Sequence, residues 1–279
     1  MVLATRTFSF ANQPVSFPVY FSLGPLRLHP HFVMELAAYA IGLYGALFRR
    51  LRKSVSLDPN VLSANLPPVS PSQRTSVSVG ALFGALTGAK LLVALQHLNL
   101  LASDWRLFLL VLLQGKTIVG ALLGGLIGVE LTKKHIGVRR STGDGFVYPV
   151  LWGMAIGRVG CFLTGLSDRT YGTATSLPWG VDFGDGIARH PTQLYEAGFL
   201  LLLFVLLRLY ERTQRREGDL FKFYTIAYLS FRLLVDSIKP EFRPLLGLSA
   251  IQMACVCGLV YYARDAVRIG RAVVSRMQR

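Results

Sequence analysis

Three features of this chain predict an all-α polytopic membrane fold with about seven transmembrane helices. Charged residues make up 16% of the 279-residue sequence and the mean hydropathy is +0.45, whereas soluble domains carry about 25% charged residues. Seven apolar segments are long enough to span a bilayer, at about 31–49, 77–95, 107–131, 146–165, 192–209, 220–238 and 248–264. The basic residues fall into alternate connections. Eighteen lie on one side: Arg49, Arg50, Arg52, Lys53 and Arg74; Lys133, Lys134, Arg139 and Arg140; Arg208, Arg212, Arg215 and Arg216; Arg264, Arg268, Arg271, Arg276 and Arg279. The other side has seven, namely Arg6, Arg27, Arg106, Arg169, Arg189, Lys239 and Arg243. Under the positive-inside rule this bias places the N-terminus outside and the C-terminus in the cytoplasm.

The formal net charge of +15 therefore sets orientation and meets anionic headgroups. No nucleic-acid recognition motif accompanies it, so no nucleic-acid partner is expected. The whole chain, 1–279, reads as one integral membrane domain without an internal repeat. Residues 1–30 contain Pro14, Pro18 and Pro25 and no apolar core of signal-peptide length, so the first crossing itself directs insertion. That crossing is entered through His29, Pro30, His31 and Glu35. Two histidines and a carboxylate suggest a metal, but the sequence supplies no convincing third and fourth ligand and Pro30 restricts His29, so no metal is expected.

Residues 54–76, rich in Ser, Pro and Asn, read as a cytoplasmic linker. The segment 107–131 exceeds a simple crossing and is interrupted at Gln114-Gly115-Lys116. It fits either a re-entrant piece followed by a helix from about Thr117 or one tilted helix. From Gly120, GALLGGLIG places small residues along a helix face and allows close packing. No strand precedes this run, which excludes a nucleotide-phosphate loop. The external loop 166–191 gathers Asp168, Arg169, Asp182, Asp185, Arg189 and His190, and 265–279 forms a basic cytoplasmic tail. Cys161, Cys255 and Cys257 all lie in apolar segments and form no disulfide framework.

The chemistry is concentrated on two arginines. Arg158 is the only formal charge in the crossing Phe146–Gly165, and Arg232 lies within the apolar segment Phe221–Ile238. A guanidinium keeps its charge, and placing it near the bilayer centre costs roughly 3 kcal/mol. It therefore requires a counter-charge. A lipid phosphate is one source, held in charge-assisted fork geometry; a buried carboxylate such as Glu35, Glu130, Glu196 or Asp236 is the other. Both arginines fall in the outer halves of their crossings and are expected to face one cavity open to the external leaflet. Ahead of the fifth crossing stands Arg189-His190-Pro191-Thr192-Gln193-Leu194-Tyr195-Glu196. Pro191 suits a helix start, and Thr192 or Gln193 can satisfy first-turn amides. His190 and Glu196 are candidate proton acceptors, Glu196 only if burial raises its pKa.

Gly157-Arg158-Val159-Gly160-Cys161-Phe162-Leu163, followed by a polar loop and then Arg189 to Glu196, resembles the bacterial prolipoprotein diacylglyceryl transferases. Gly120 to Gly125, Phe231-Arg232 and Gly247-Leu248-Ser249-Ala250-Ile251-Gln252 continue the likeness, in the family's order from about Pro25 to Tyr262. The resemblance implies a multi-pass enzyme of the bacterial inner membrane that needs no cofactor. Its partners would be phosphatidylglycerol, secreted prolipoprotein signal peptides and membrane lipids. It would move a diacylglyceryl group onto the lipobox cysteine thiol, forming a thioether and releasing glycerol phosphate. The phosphate-binding arginines fall on Arg158 and Arg232, with His190 and Glu196 as further catalytic candidates. Gly157, Gly160, Tyr195, Gly124, Gly125 and Lys116 are the expected lipid-binding positions. The sequence departs from the family at three points: Cys161 replaces its signature asparagine, Val119 replaces a histidine before the glycine run, and the loop after Gly165 is longer. Alternatives are a related enzyme with another acceptor, an inactive paralogue, or an anion or lipid transporter without chemistry.

Overall fold

The computed structural model describes residues 9–10, 13–14, 17–52, 61–62, 69–213, 215–240, 242–243 and 247–277. The described chain is mostly helical, and a helix occupies each of the seven apolar segments. The helices are α1 (Pro30–Arg52), α2 (Pro71–Gln96), α3 (Leu98–Ser103), α4 (Trp105–Gln114), α5 (Ile118–His135), α6 (Val147–Thr164), α7 (Thr192–Glu211), α8 (Asp219–Val235), α9 (Ala250–Tyr261) and α10 (Ala263–Met277). By length and apolarity, Pro71–Gln96, Gly143–Asp168 and Thr192–Glu211 can each cross a membrane, and α4 with α5 adds a fourth if that bent pair is one span.

One boundary differs from expectation. Of the stretch read as a linker, 54–60 and 63–68 lie outside the described residues, but α2 already begins at Pro71. Ser70 caps it, accepting from the Gln73 amide while the Gln73 side chain accepts from the Ser70 amide, and Pro71 occupies the first helical turn. A Ser/Pro-rich run therefore carried a helix start rather than only a flexible link. Within the basic tail α10 is helical, and Arg268 grips Asp219 on α8 through two hydrogen bonds of 2.6 and 2.7 Å.

The chain forms two compact units. The first comprises residues 1–60, 143–214 and 237–240 and is built on α1, α6 and α7. Helix α1 packs along α6, and Gly160 permits their approach: a Cβ there would lie 2.7 Å from Met34 Cβ. The loop 166–191 is folded onto the end of α6. Val181–Asp182 pairs antiparallel with Ala188–Arg189, and the Asp182 carboxylate accepts from the amides of Gly184, Asp185 and Gly186 to close the turn. Phe183 is buried among Phe17, Phe162 and Tyr171, which anchors the loop by aromatic packing.

The second unit comprises residues 61–142, 215–236 and 241–279. Its centre is the contact of α2 with α5, where Gly80, Gly84 and Gly88 face Gly128, Gly124 and Gly120. A Cβ on Gly84 would meet the Gly124 carbonyl at 2.3 Å, and one on Gly88 the Gly120 carbonyl at 2.3 Å. The run GALLGGLIG does allow close packing, and its partner is the GxxxGxxxG row of α2. The region 107–131 is two helices bent by 72°, with α5 starting at Ile118, one residue beyond the Thr117 expected for the second piece. Lys90 holds that break, its ammonium donating to the carbonyls of Leu112, Leu113 and Gly115 at 2.9, 2.7 and 2.8 Å. A cation at the end of α4 thus satisfies carbonyls that have no partner within the helix.

Candidate active site

In the first unit, Arg158 on α6 and Glu196 on α7 form a buried ion pair. Arg158 Nε lies 2.9 Å from Glu196 Oε2, and the residues are 6% and 1% exposed. The sequence places them there simply: residue 158 is two turns from the end of α6 and residue 196 is one turn into α7, and these two helices pack together. In the second unit Arg232 on α8 donates to Asp236 Oδ1 at 3.0 Å, again fully sheltered. Asp236 Oδ2 accepts from the Ser249 hydroxyl at 2.6 Å, and Ser249 caps α9 by accepting from the Gln252 amide. Of the two counter-charges left open by the sequence, both arginines have the buried carboxylate. An acid that neutralises a guanidinium also fixes its plane, so each cation is oriented as well as compensated.

His190 precedes α7, as expected. Its Nδ1 lies 3.1 Å from the Tyr195 hydroxyl, which also accepts from Trp179 Nε1 at 2.8 Å. Backbone pairing with Gly172 and Thr173 holds the histidine on the loop. Gly172 sits so close that a Cβ would meet His190 Cβ at 2.7 Å. No side chain caps α7: the Thr192 hydroxyl donates instead to the Thr170 carbonyl at 2.6 Å. Gln193 does not take that role either. It is 1% exposed, and neither its amide oxygen nor its nitrogen has a hydrogen-bond partner among the described residues. A buried amide left in this state is costly unless a ligand or water meets it.

The remaining expected lipid-binding positions diverge. Gly160 serves the α1–α6 contact, Gly157 faces open space, Gly124 is taken up by α2, Gly125 has ordinary clearance of 3.4 Å to the Ala81 carbonyl, and Lys116 is exposed in the α4–α5 break. Val119, where the resemblance expects a histidine, is buried.

Sequence spacing missed one grouping. His31 at the start of α1, Cys161 on α6 and Asp168 just beyond α6 offer ligand-type atoms all within 4.8 Å of one another. An open cavity of about 490 Å³ adjoins them, lined by His29, His31, Glu35, Thr164, Ser167 and Asp168. Glu35, one of the carboxylates considered for the arginines, instead approaches His31 and accepts from Tyr39. Glu130 pairs with Lys133.

Apolar helices, three or up to four of them long and apolar enough to cross a bilayer, define a helical membrane protein, here with buried arginine–carboxylate pairs among its helices. Residues 18–267 match the model of the family described as prolipoprotein diacylglyceryl transferase, and the chain belongs to that family. Curated relatives named phosphatidylglycerol–prolipoprotein diacylglyceryl transferase include one from Campylobacter lari, 29% identical over 83% of this chain and 84% of the relative. One from Bordetella bronchiseptica is 30% identical over 78% and 80%, and one from Cupriavidus metallidurans 31% identical over 85% of each. No solved structure matches.

Proposed function

We propose that this protein transfers the diacylglyceryl group of phosphatidylglycerol to the lipobox cysteine thiol of a secreted prolipoprotein. The acceptor sulfur attacks the glyceryl carbon, a thioether forms, and glycerol phosphate leaves. The observation that carries this reading is the family match across residues 18–267; the burial of Arg158 and Arg232, which the resemblance assigns to phosphate binding, supports it. Arg158 and Arg232 bind the phosphate and stabilise the charge that develops as it departs. Stability is a weak account of the ion pairs, because a buried pair often contributes no more to folding than apolar side chains of similar volume.

Glu196 orients the Arg158 guanidinium and Asp236 that of Arg232, and His190 is the candidate acceptor of the thiol proton, with Tyr195 orienting its ring. The buried amide of Gln193, without a hydrogen-bond partner among the described residues, supports a polar ligand at the start of α7. The nucleophile belongs to the substrate, so no enzyme thiol is needed for transfer. The chain crosses the inner membrane seven times, with its N-terminus outside and its basic C-terminus in the cytoplasm, in line with the distribution of arginine and lysine.

The test is complementation and product analysis. Cells depleted of their own transferase and expressing this chain should regain lipidated precursor. Purified protein given phosphatidylglycerol and a lipobox peptide should yield diacylglyceryl peptide and glycerol phosphate by mass spectrometry. Membrane-inserted protein that yields neither product overturns the assignment. Lipid or anion flux without product would favour a transporter.

A further inference from the structure

We propose that His31, Cys161 and Asp168 form a binding site for a thiophilic divalent metal ion of the zinc class. The three side chains come from different stretches of the first unit, and their ligand atoms lie within 4.8 Å of one another. A tetrahedral zinc site places its ligands about 3.4–3.6 Å apart. His31 Nδ1 and Asp168 Oδ1 already stand at 3.5 Å, and drawing a set whose atoms all lie within 4.8 Å of one another to that spacing takes side-chain shifts of about 1 Å. Thiolate, imidazole and carboxylate together select zinc-class ions over magnesium or calcium, which favour oxygen alone.

The surroundings fit ligands rather than a chance cluster. A metal-bound imidazole commonly presents its other nitrogen to a carboxylate, which fixes the ring. His31 Nε2 lies 3.6 Å from Glu35 Oε2, on the opposite edge from Asp168. Asp168 is held the same way, its second oxygen accepting from the Thr170 hydroxyl. The local fold explains the convergence: Gly160 lets α1 approach α6, with a Cβ there only 3.8 Å from His31 Cα, and Cys161 is its immediate neighbour. The ends of α6 and α1 then bring Asp168 to His31.

Two of the three ligands, His31 and Asp168, line the open cavity. Three protein ligands leave a fourth position for water or a thiolate. Placement of the acceptor thiol there rests on the transferase reading; binding of the ion does not.

The experiment uses the full-length chain in detergent, stripped of metal and titrated with Co2+ and Zn2+ in the absence of lipid. One Co2+ should bind per chain with a sulfur-to-cobalt charge-transfer band, and one Zn2+ should displace it. Cys161→Ser should abolish the band, while Cys255→Ser and Cys257→Ser leave it unchanged. His31→Gln and Asp168→Asn should each weaken binding by about 10-fold or more, and Glu35→Gln by up to about 10-fold with the band retained. Absence of the band, or a band that survives Cys161→Ser, overturns the site. If Cys161→Ser fails to fold, unchanged affinity in His31→Gln and Asp168→Asn overturns it equally. These readouts need no substrate, so loss of transfer without loss of ion binding counts against the transferase reading alone.

Discussion

Arg158 Nε sits 2.9 Å from Glu196 Oε2, bridging α6 and α7 with both residues buried. The pair makes different predictions for its two members. Arg158→Ala removes the proposed phosphate ligand and should lower transfer by about 100-fold or more. Glu196→Gln keeps the cation but removes its charge partner, which destabilises a buried pair by about 3–5 kcal/mol. Glu196→Gln should therefore melt earlier in detergent, whereas Arg158→Met should lose activity with a smaller loss of stability, because the Glu196 carboxyl left behind can take up a proton while a guanidinium cannot lose one. Thermal unfolding and peptide lipidation measured on the same preparations check this. An active Arg158→Ala protein would remove the role assigned to it.

Ser249 has two tasks, capping α9 and donating to Asp236 at 2.6 Å. Ser249→Ala should cost about 1 kcal/mol through the cap and free the carboxylate that orients Arg232. Ser249→Thr keeps the hydroxyl and should retain most activity. If Arg232 binds the phosphate, the alanine variant raises KM for phosphatidylglycerol or lowers kcat beyond what its thermal shift accounts for. A purely structural serine would leave both constants unchanged in the protein that remains folded.

Much of this was readable in the sequence because burial in lipid punishes charge so strongly. Each apolar stretch holds helix, three or up to four of them long and apolar enough to cross a membrane, and Arg158 stands out as the only formal charge in its stretch. Glu196 and Asp236 were named among the possible partners, but choosing them needs a helix pairing for Glu196, and for Asp236 only the i, i+4 step along α8 from Arg232. That short step was legible in retrospect. The Gly80, Gly84 and Gly88 row was equally visible as GxxxGxxxG, although which helix it meets depends on the fold. The His31, Cys161 and Asp168 grouping was not legible: it spans about 140 residues of sequence and depends on Gly160 drawing two helices together. The α2 start at Pro71 was hidden because Ser and Pro favour both loops and helix caps.

The glycine contact makes a graded prediction. A Cβ at Gly124 would meet the Gly84 carbonyl at 2.3 Å, whereas one at Gly125 has 3.4 Å to its nearest neighbour. Gly124→Ala should force α2 and α5 apart, lowering the melting temperature and exposing the unit to protease; overpacking of this kind typically costs about 1–3 kcal/mol. Gly125→Ala should be nearly silent. Equal losses in the two variants would point to a lipid-binding role for both glycines rather than to helix packing.

The loop 166–191 supplies a pH prediction. Hydrogen bonding from Arg189, whose guanidinium donates to both Asp185 oxygens at 2.6 and 2.7 Å, holds the Asp185 carboxyl below its ordinary value. Arg189 in turn lies over the Tyr171 ring at 5.0 Å, tying the turn to the loop's aromatic anchor. A depressed carboxylate stabilises the loop above its unfolded pKa, about 3.9, and that contribution disappears as pH falls through the lower folded value. Between neutrality and about pH 5 the loop should therefore hold constant protection from hydrogen exchange. Acidification below about pH 4 should loosen residues 181–189 before the helices respond. Arg189→Met should return the Asp185 titration, followed by carboxyl NMR, to the ordinary range and remove the acid-sensitive step. A titration unchanged by Arg189→Met would show that another group sets the shift.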